Sequence, residues 1–293
     1  MTETFETQRP RLLALGYRML GSRTEAEDLV QEAWLRWESV DHSSIDSPAA
    51  WLTTTMSRLC IDELRARKVR QENYVGPWLP APWFEEPLSP APEALTELEL
   101  ADDLSMAFLL LLERLAPEER AAFLLHDIFE MSYSEIASVV DKREDAIRQT
   151  IARARKRVVD ERPRFRASIR QQQELAEKFQ RAVALRDPLA LASLFKPDAV
   201  FISDGGGKAL AALRPIVGAT KIAKFFLGIT RDAKPGDLQF ELRWMNDAIS
   251  LLAFDVQGLP VIALGFDVRT DGIAGLYAVR NPDKLGGLAP APL

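Results

Sequence analysis

The sequence predicts a multi-domain chain in which two all-α domains precede an α+β domain. Three observations carry that reading. Apolar residues recur at three- and four-residue spacing through most of residues 1–162. Composition breaks twice, at an acidic, proline-rich stretch over 76–101 and again over 163–170. Beyond the second break, helical segments give way to β-branched and aromatic runs separated by Gly, Pro, Asn and Asp. The expected divisions are therefore 1–75, 102–162 and 171–293 as folded domains, with 76–101 and 163–170 as linkers.

Composition bounds the function. Hydrophobic content of 47% with 27% charged residues is that of a soluble globular protein, and 293 residues allow each part its own core. No apolar run approaches the roughly 20 residues needed to cross a bilayer. MTETFETQRPRLL lacks the cationic start and apolar centre of a signal peptide. A cytoplasmic location without membrane contact is expected. One cysteine, Cys60, excludes a disulfide framework and reads as a small core residue. Two histidines without zinc spacing point to no metal site, and no cofactor is expected.

Taken in order, residues 5–21 place Leu12, Leu15, Tyr17, Met19 and Leu20 on a helix ending at Gly21. The next helix has Ser22 or Thr24 as N-cap and acidic residues in its first turn, which suit the helix dipole. Its core face is Leu29, Val30, Ala33, Trp34 and Trp37. Asp28, Gln31, Glu32 and Arg36 form another strip, which by itself reads as solvated charge. A small polar loop, Asp41–Ser47, leads to Pro48 in the first turn of a third helix with Ser47 as N-cap. Thr53, Thr54, Thr55 and Arg58 on that helix could face a ligand. Its basic end, from Arg65 to Arg70, is also what a helix C-terminus favours for dipole reasons alone.

From Gln71 to Glu113 there are nine acidic residues and no basic one, with six prolines between Pro77 and Pro92. That composition extends a chain. Tyr74, Trp78, Leu79, Trp83 and Phe84 need a surface to bury against, so YVGPWLP reads as a docking segment. Two helices follow, LSMAFLLLLERL and PEERAAFLLHDIF, the second with Pro117 at its start and His126 at a core or rim position.

Tyr133–Val158 then reads as two short helices around a tight turn. Ile136, Ala137 and Val140 share one face of the first; Ala146, Ile147, Ile151 and Ala154 stripe the second. Asp141 falls where the turn wants a left-handed residue. Lys142–Arg170 holds eleven basic and four acidic residues in a chain whose net charge is -6. Such a local excess beside a helix-turn-helix pattern points to duplex DNA.

In the last 123 residues, QQQELAEKFQRAVALRD and LALASLF are helical and AVFISD is a strand running into DGGGK. GATKIAKFFLGIT is helical, and DLQFELRWM, ISLLAFDV, PVIALGFDVR and AGLYAVR are strands. A sheet wrapping helices in this way encloses a pocket of apolar side chains, suited to a small apolar ligand. Asp204, Asp247, Asp255 and Asp267 are candidate bases, but this region has no histidine and no visible second catalytic group. DGGGK lacks the length and following helix of a phosphate-binding loop.

AEDLVQEAWLRW, AWLTTTMSRLCIDELR, the acidic linker and YSEIA…IRQTIARARKR together resemble regions 2 and 4 of bacterial sigma factors of the extracytoplasmic-function (ECF) class. WLP, DGGGK and NPDKL resemble the subgroup with a fused SnoaL-like domain of the cone-shaped NTF2-like fold. The resemblance implies a promoter-specificity subunit of RNA polymerase, not an enzyme. It implies docking of Asp28, Gln31, Glu32 and Arg36 on the polymerase β′ coiled coil, with the β flap as a second contact. Minus-10 DNA falls to His42, Ser43, Ser44, Trp51, Thr54, Thr55, Arg58 and Arg65, around a flipped base. Minus-35 DNA falls to Arg143, Arg148, Gln149, Arg153, Arg155 and Lys156 in the major groove. The family usually has Gly where Asp141 stands. Trp78, Leu79, Pro80, Asp204, Gly205, Gly206, Gly207, Asn281, Pro282 and Asp283 are implied to lie at a regulatory contact between the last domain and the sigma core. A ligand-sensing one-component regulator is the alternative; it leaves the DLVQE helix and the acidic linker without a purpose.

Overall fold

The computed structural model describes residues 2–71, 74–84, 96–97, 103–159, 165–232, 234, 236–286 and 288. The expected extended linker over 85–95 and 98–102, the arginines at 162 and 164, and the Gly/Pro/Ala tail lie outside the described residues. Two compact units form. One gathers residues 1–73, 100–102 and 108–162; the other gathers 74–99, 103–107 and 163–293. The first part of the acidic linker thus folds with the carboxy-terminal domain, where the sequence suggested a separate element.

The first unit is all helical: α1 (Thr2–Leu20), α2 (Arg23–Ser39), a 3-10 turn (His42–Ser44) and α3 (Pro48–Gln71). After α4 (Met106–Glu113) come α5 (Pro117–Asp127), α6 (Tyr133–Val140) and α7 (Glu144–Val159). Each start has a local cause. Ser22 Oγ caps α2 through the Glu25 amide, and Ser47 Oγ takes the Ala50 amide at the head of α3. Ser132 and Glu135 form a reciprocal capping box on α6. Leu12, Leu15, Tyr17, Met19 and Leu20 are buried as their spacing requires, with Leu52, Met56 and Cys60 of α3 also in the core.

The second unit holds short strands β1 (Thr96–Glu97) and β2 (Phe165–Arg166), paired antiparallel, which sequence patterning did not reveal. Helices α8 (Ile169–Ala184) and α9 (Pro188–Ser193) precede β3 (Phe195–Asp204), β4 (Ile216–Val217) and α10 (Ala219–Ile229). Strands β5 (Leu238–Met245), β6 (Ala248–Asp255), β7 (Pro260–Arg269) and β8 (Gly272–Val279) follow, and α11 (Pro282–Leu285) closes the unit. Sheet order is β4-β3-β8-β7-β6-β5, antiparallel except for the parallel β3–β8 pair. Because strand side chains alternate, Phe201, Leu251, Leu264, Phe266 and Leu276 share the face that packs on α8, α9 and α10. Phe179, Phe226 and Phe266 meet there edge to face.

Candidate functional site

On α2 the predicted polymerase strip faces outward. Asp28, Gln31 and Arg36 are exposed, Glu32 is half-buried, and Arg36 Nε donates to Glu32 Oε1 at 3.0 Å. Leu35 stands among them 54% exposed.

The polar loop is built by Asp41, whose carboxylate takes the Ser43 amide and hydroxyl, and these bonds hold its pKa below the ordinary value. His42 stacks on Trp37 with centroids 4.1 Å apart, and Trp37 in turn meets Trp51. Thr54 and Thr55 are half-buried on α3, and Ser43 and Ser44 are exposed. Arg58 and Arg65 are engaged elsewhere. Arg58 Nη2 donates to the Ser138 carbonyl at 2.8 Å and Nε to Val139, placing a cation on the C-terminal end of α6. Arg65 donates twice to Glu118 Oε1, which holds Arg65 protonated above its usual range.

In the helix-turn-helix, Asp141 has φ 54 and ψ 53, the left-handed conformation that its place in the sequence demanded. Arg143, Arg148, Gln149, Arg153 and Lys156 are exposed on the first turns and outer face of α7. Arg148 lies over the Tyr133 ring at 4.2 Å and donates to Glu144. Arg155 is placed differently from the expectation. Its Nε and Nη2 reach the Asp127 carboxylate at the end of α5, and the Asp127 side chain is 4% exposed, so Arg155 ties two helices.

Sequence reading missed two arginines of this unit altogether. Arg120, buried, donates Nη1 to the Met19 carbonyl and to Glu113 Oε1, both at 2.6 Å. Arg11 donates to the Phe129 carbonyl. With Arg58 and Arg65 they join α1 and α3 to the α5–α6 region. Only the burial of arginines at helical core positions could have signalled this, and alternation does not distinguish a buried arginine from an exposed one.

In the second unit, WLP, DGGGK and NPDKL converge on one carboxylate. Asp204, at the end of β3, is fully buried and accepts from Tyr74 Oη at 2.5 Å, the Leu79 amide at 2.9 Å and Lys284 Nζ at 2.8 Å. Its backbone carbonyl takes the Arg280 and Asn281 amides. Lys284 Nζ also donates to the Leu79 carbonyl and sits 4.0 Å from the centroid of Trp78. Leu79 and Pro80 are buried and Trp78 half-buried. Asn281 caps α11 through the Asp283 amide and donates to Tyr74 Oη, while Pro282 supplies the first helical residue. Burial, then the bond to Asp204, push the Tyr74 hydroxyl up. Gly205 is buried; Gly206 has φ +57 and a Cβ there would stand 2.3 Å from Asn281 Nδ2. Gly207, φ +74, lies against Val75. The contact that DGGGK makes is therefore with residues 74–79 of its own unit.

A second clasp uses the β5–β6 turn. Asn246 and Asp247 both have positive φ, as a two-residue hairpin loop requires. Asn246 exchanges two hydrogen bonds with Trp83 and donates Nδ2 to the Leu104 carbonyl, while Asp247 accepts the Leu104 amide at 2.7 Å. One turn thus holds the chain on both sides of 85–102.

Residues 4–70 match the family Sigma-70 region 2, and residues 105–158 match Sigma-70, region 4. The chain is 36% identical to the ECF RNA polymerase sigma factor SigJ of Mycobacterium tuberculosis, over 97% of this chain and 92% of that protein. It is 33% identical to the ECF RNA polymerase sigma factor SigE of Mycolicibacterium smegmatis, over 51% of this chain and 56% of the other. The crystal structure of M. tuberculosis SigJ superposes with a TM-score of 0.73 at 33% identity, covering 97% of this chain and 98% of that one. Helical regions 2 and 4, the α+β unit after them and this similarity along nearly the whole length agree: the chain belongs to the ECF sigma factors of RNA polymerase.

Proposed function

We propose that this sigma factor reads a promoter at two points and that its carboxy-terminal unit governs the reading through the linker. Core polymerase docks on the Asp28–Gln31–Leu35 strip of α2. The loop around His42–Ser44, with Trp51, Thr54 and Thr55, takes the opened minus-10 strand, where a splayed base needs an aromatic surface and hydroxyl partners. Arg143, Arg148, Gln149, Arg153 and Lys156 meet the minus-35 duplex. Arg58 and Arg65 join the minus-10 set only when released from Ser138, Val139 and Glu118. The partners are therefore RNA polymerase core and promoter DNA, in the cytoplasm, and the protein acts as an initiation factor without catalysis of its own.

One observation carries the regulatory half: a buried carboxylate, Asp204, engages Tyr74, Leu79 and Lys284 together. A linker held this firmly is withheld from other surfaces until the clasp opens. In vitro transcription with core polymerase tests both halves. Asp28→Lys and Glu32→Lys should abolish core binding with the helical content unchanged; wild-type affinity removes the docking assignment. Trp78→Ala should change transcript yield while leaving core affinity intact; unchanged yield on every promoter tried removes the regulatory one.

A further inference from the structure

A cavity of about 50 Å³ is lined by β5–β8 with the β5–β6 turn, by residues 105–107 and by Gln172 of α8. Ser250 pairs with Gly265, Gly265 with Tyr277, and Asp267 with Gly275, so these positions alternate with the core-facing Leu251, Leu264, Phe266 and Leu276. Glycine weakens a strand interior; here Gly265 lines the cavity and Gly275 leaves room for the Tyr277 hydroxyl beside it. A Cβ at Gly265 would lie 3.2 Å from Met245 Cε and 3.6 Å from Met106 Cγ; one at Gly275 would lie 2.4 Å from the Tyr277 hydroxyl. Ser105 and Met106, at the end of the linker, line the cavity opposite the strands.

Its polar lining combines the carboxylates of Asp247 and Asp267 with the hydroxyls of Ser105, Ser250 and Tyr277 and the carboxamides of Gln172 and Asn246. Asp267 is buried and gives Oδ2 to Arg269 Nε and Nη2, and no described residue reaches its Oδ1. Tyr277 is 8% exposed, and its hydroxyl likewise has no partner among the described residues. Among the described residues, Ser250 Oγ donates to the Ala248 carbonyl at 3.5 Å, which leaves its lone pairs available. Asp247 adds a second carboxylate to the lining, and no Lys, Arg or His lines it among the described residues. Burial first, then the nearby Asp103 charge, raise the Asp267 carboxyl against the opposing effect of Arg269.

We propose that this cavity binds a small organic cation bearing N–H donors, of the alkylammonium or guanidinium class, with Asp267, Tyr277 and Ser250 as acceptors and Met106 as its cover. An apolar guest would leave those acceptors buried and unpaired. An anion would face two carboxylates with no lining cation. No described group of three or more His, Cys, Asp or Glu is placed to hold a metal ion. One water needs about 10–15 Å³ by this measure, so the space suits a guest of a few heavy atoms, and a guest that small binds with a Kd on the order of 1 mM. Leu104, which precedes the cover, is tied to Asn246 and Asp247, so an occupant steadies the linker's downstream anchor.

The full-length chain is titrated with ethylammonium and methylguanidinium against tetramethylammonium, which has no N–H, at matched ionic strength. Saturable rises in Tm with slowed amide exchange at 103–107 are expected for the first two alone. Tyr277→Phe and Asp267→Asn should each weaken binding about tenfold, the loss expected for one buried hydrogen bond. The absence of a saturable response marks a water-filled cavity and overturns the proposal, as does an equal response to tetramethylammonium. Wild-type affinity in both variants, with circular dichroism confirming their fold, overturns the assignment of acceptors. The comparison among cations on the wild-type chain stands without any variant.

Discussion

At the head of α7 and along it the charged side chains reach into solvent: Arg143 is 86% exposed at its side chain and, among the described residues, pairs with its near neighbour Asp145. At the end of β3 the arrangement is reversed, with Asp204 at 0% and Lys284 at 13% side-chain exposure and three donors aimed at one carboxylate. Exposed pairs are screened and worth little, which leaves the α7 arginines free to exchange partners for phosphate at small cost. A buried charge that loses its partners is expensive, which makes the Asp204 cluster an anchor. Both regions are rich in charge. Desolvation decides which of them holds structure and which of them waits for a ligand.

Breaking the anchor is therefore expected to give the largest effect. Asp204→Ala removes the counter-charge of a buried ammonium and the acceptor used by the Tyr74 hydroxyl and the Leu79 amide, a loss of about 3–5 kcal/mol. Asp283→Ala removes only the exposed pair with Lys208, at about 0–1 kcal/mol. Urea unfolding of the two variants measures the difference directly; similar midpoints would erase the contrast drawn here. Gly206→Ala comes next, at about 2 kcal/mol, since positive φ and the Asn281 amide both oppose a Cβ.

The comparison also runs within α7. Arg155→Ala strands the buried Asp127 carboxylate and should cost about 1–2 kcal/mol of stability. Lys156→Ala should leave stability within about 0.5 kcal/mol yet weaken duplex binding and lower its salt dependence by about one ion. If both variants behave alike in unfolding and in binding, the two side chains share one role and the assignment of Arg155 to structure fails.

Much of this was legible in the residues. Helix starts followed capping residues, the five long strands followed β-branched and aromatic runs, and Asp141 announced its left-handed turn because few other residues tolerate it. The surplus aromatics at 74–84 correctly asked for a surface. Partnerships between distant residues were not legible. Nothing in the local pattern says that Arg58 will cap α6, that Arg120 will meet Met19, or that Asn246 will hold Trp83 and Leu104 at once. Such bonds depend on tertiary geometry, and periodicity carries only the face on which a residue lies. Two-residue strands such as β1 and β4 are equally silent, being too short for alternation to register.

The smallest expected effect tests how the reading head is held. Ser132 Oγ accepts the Glu135 amide, and Glu135 Oε2 accepts from the Ser132 amide at 2.8 Å and its hydroxyl at 2.6 Å. The hydroxyl bond, then the backbone bond, hold the Glu135 carboxyl below its ordinary value. A depressed acid stabilises the fold fully above its unfolded pKa, about 4.3, and loses that contribution as pH falls through the lower folded value. Ser132→Ala should therefore cost about 1 kcal/mol near neutrality, as N-cap losses do. The gap between wild type and variant should narrow as pH falls below about 4.3 and on through the lower folded value, where Glu135 becomes protonated in the wild type as well. Urea midpoints at the two pH values give the answer. A gap that stays constant would mean that the cap works through the Glu135 amide alone, and that the carboxylate contributes nothing to holding α6 in front of the turn at Asp141.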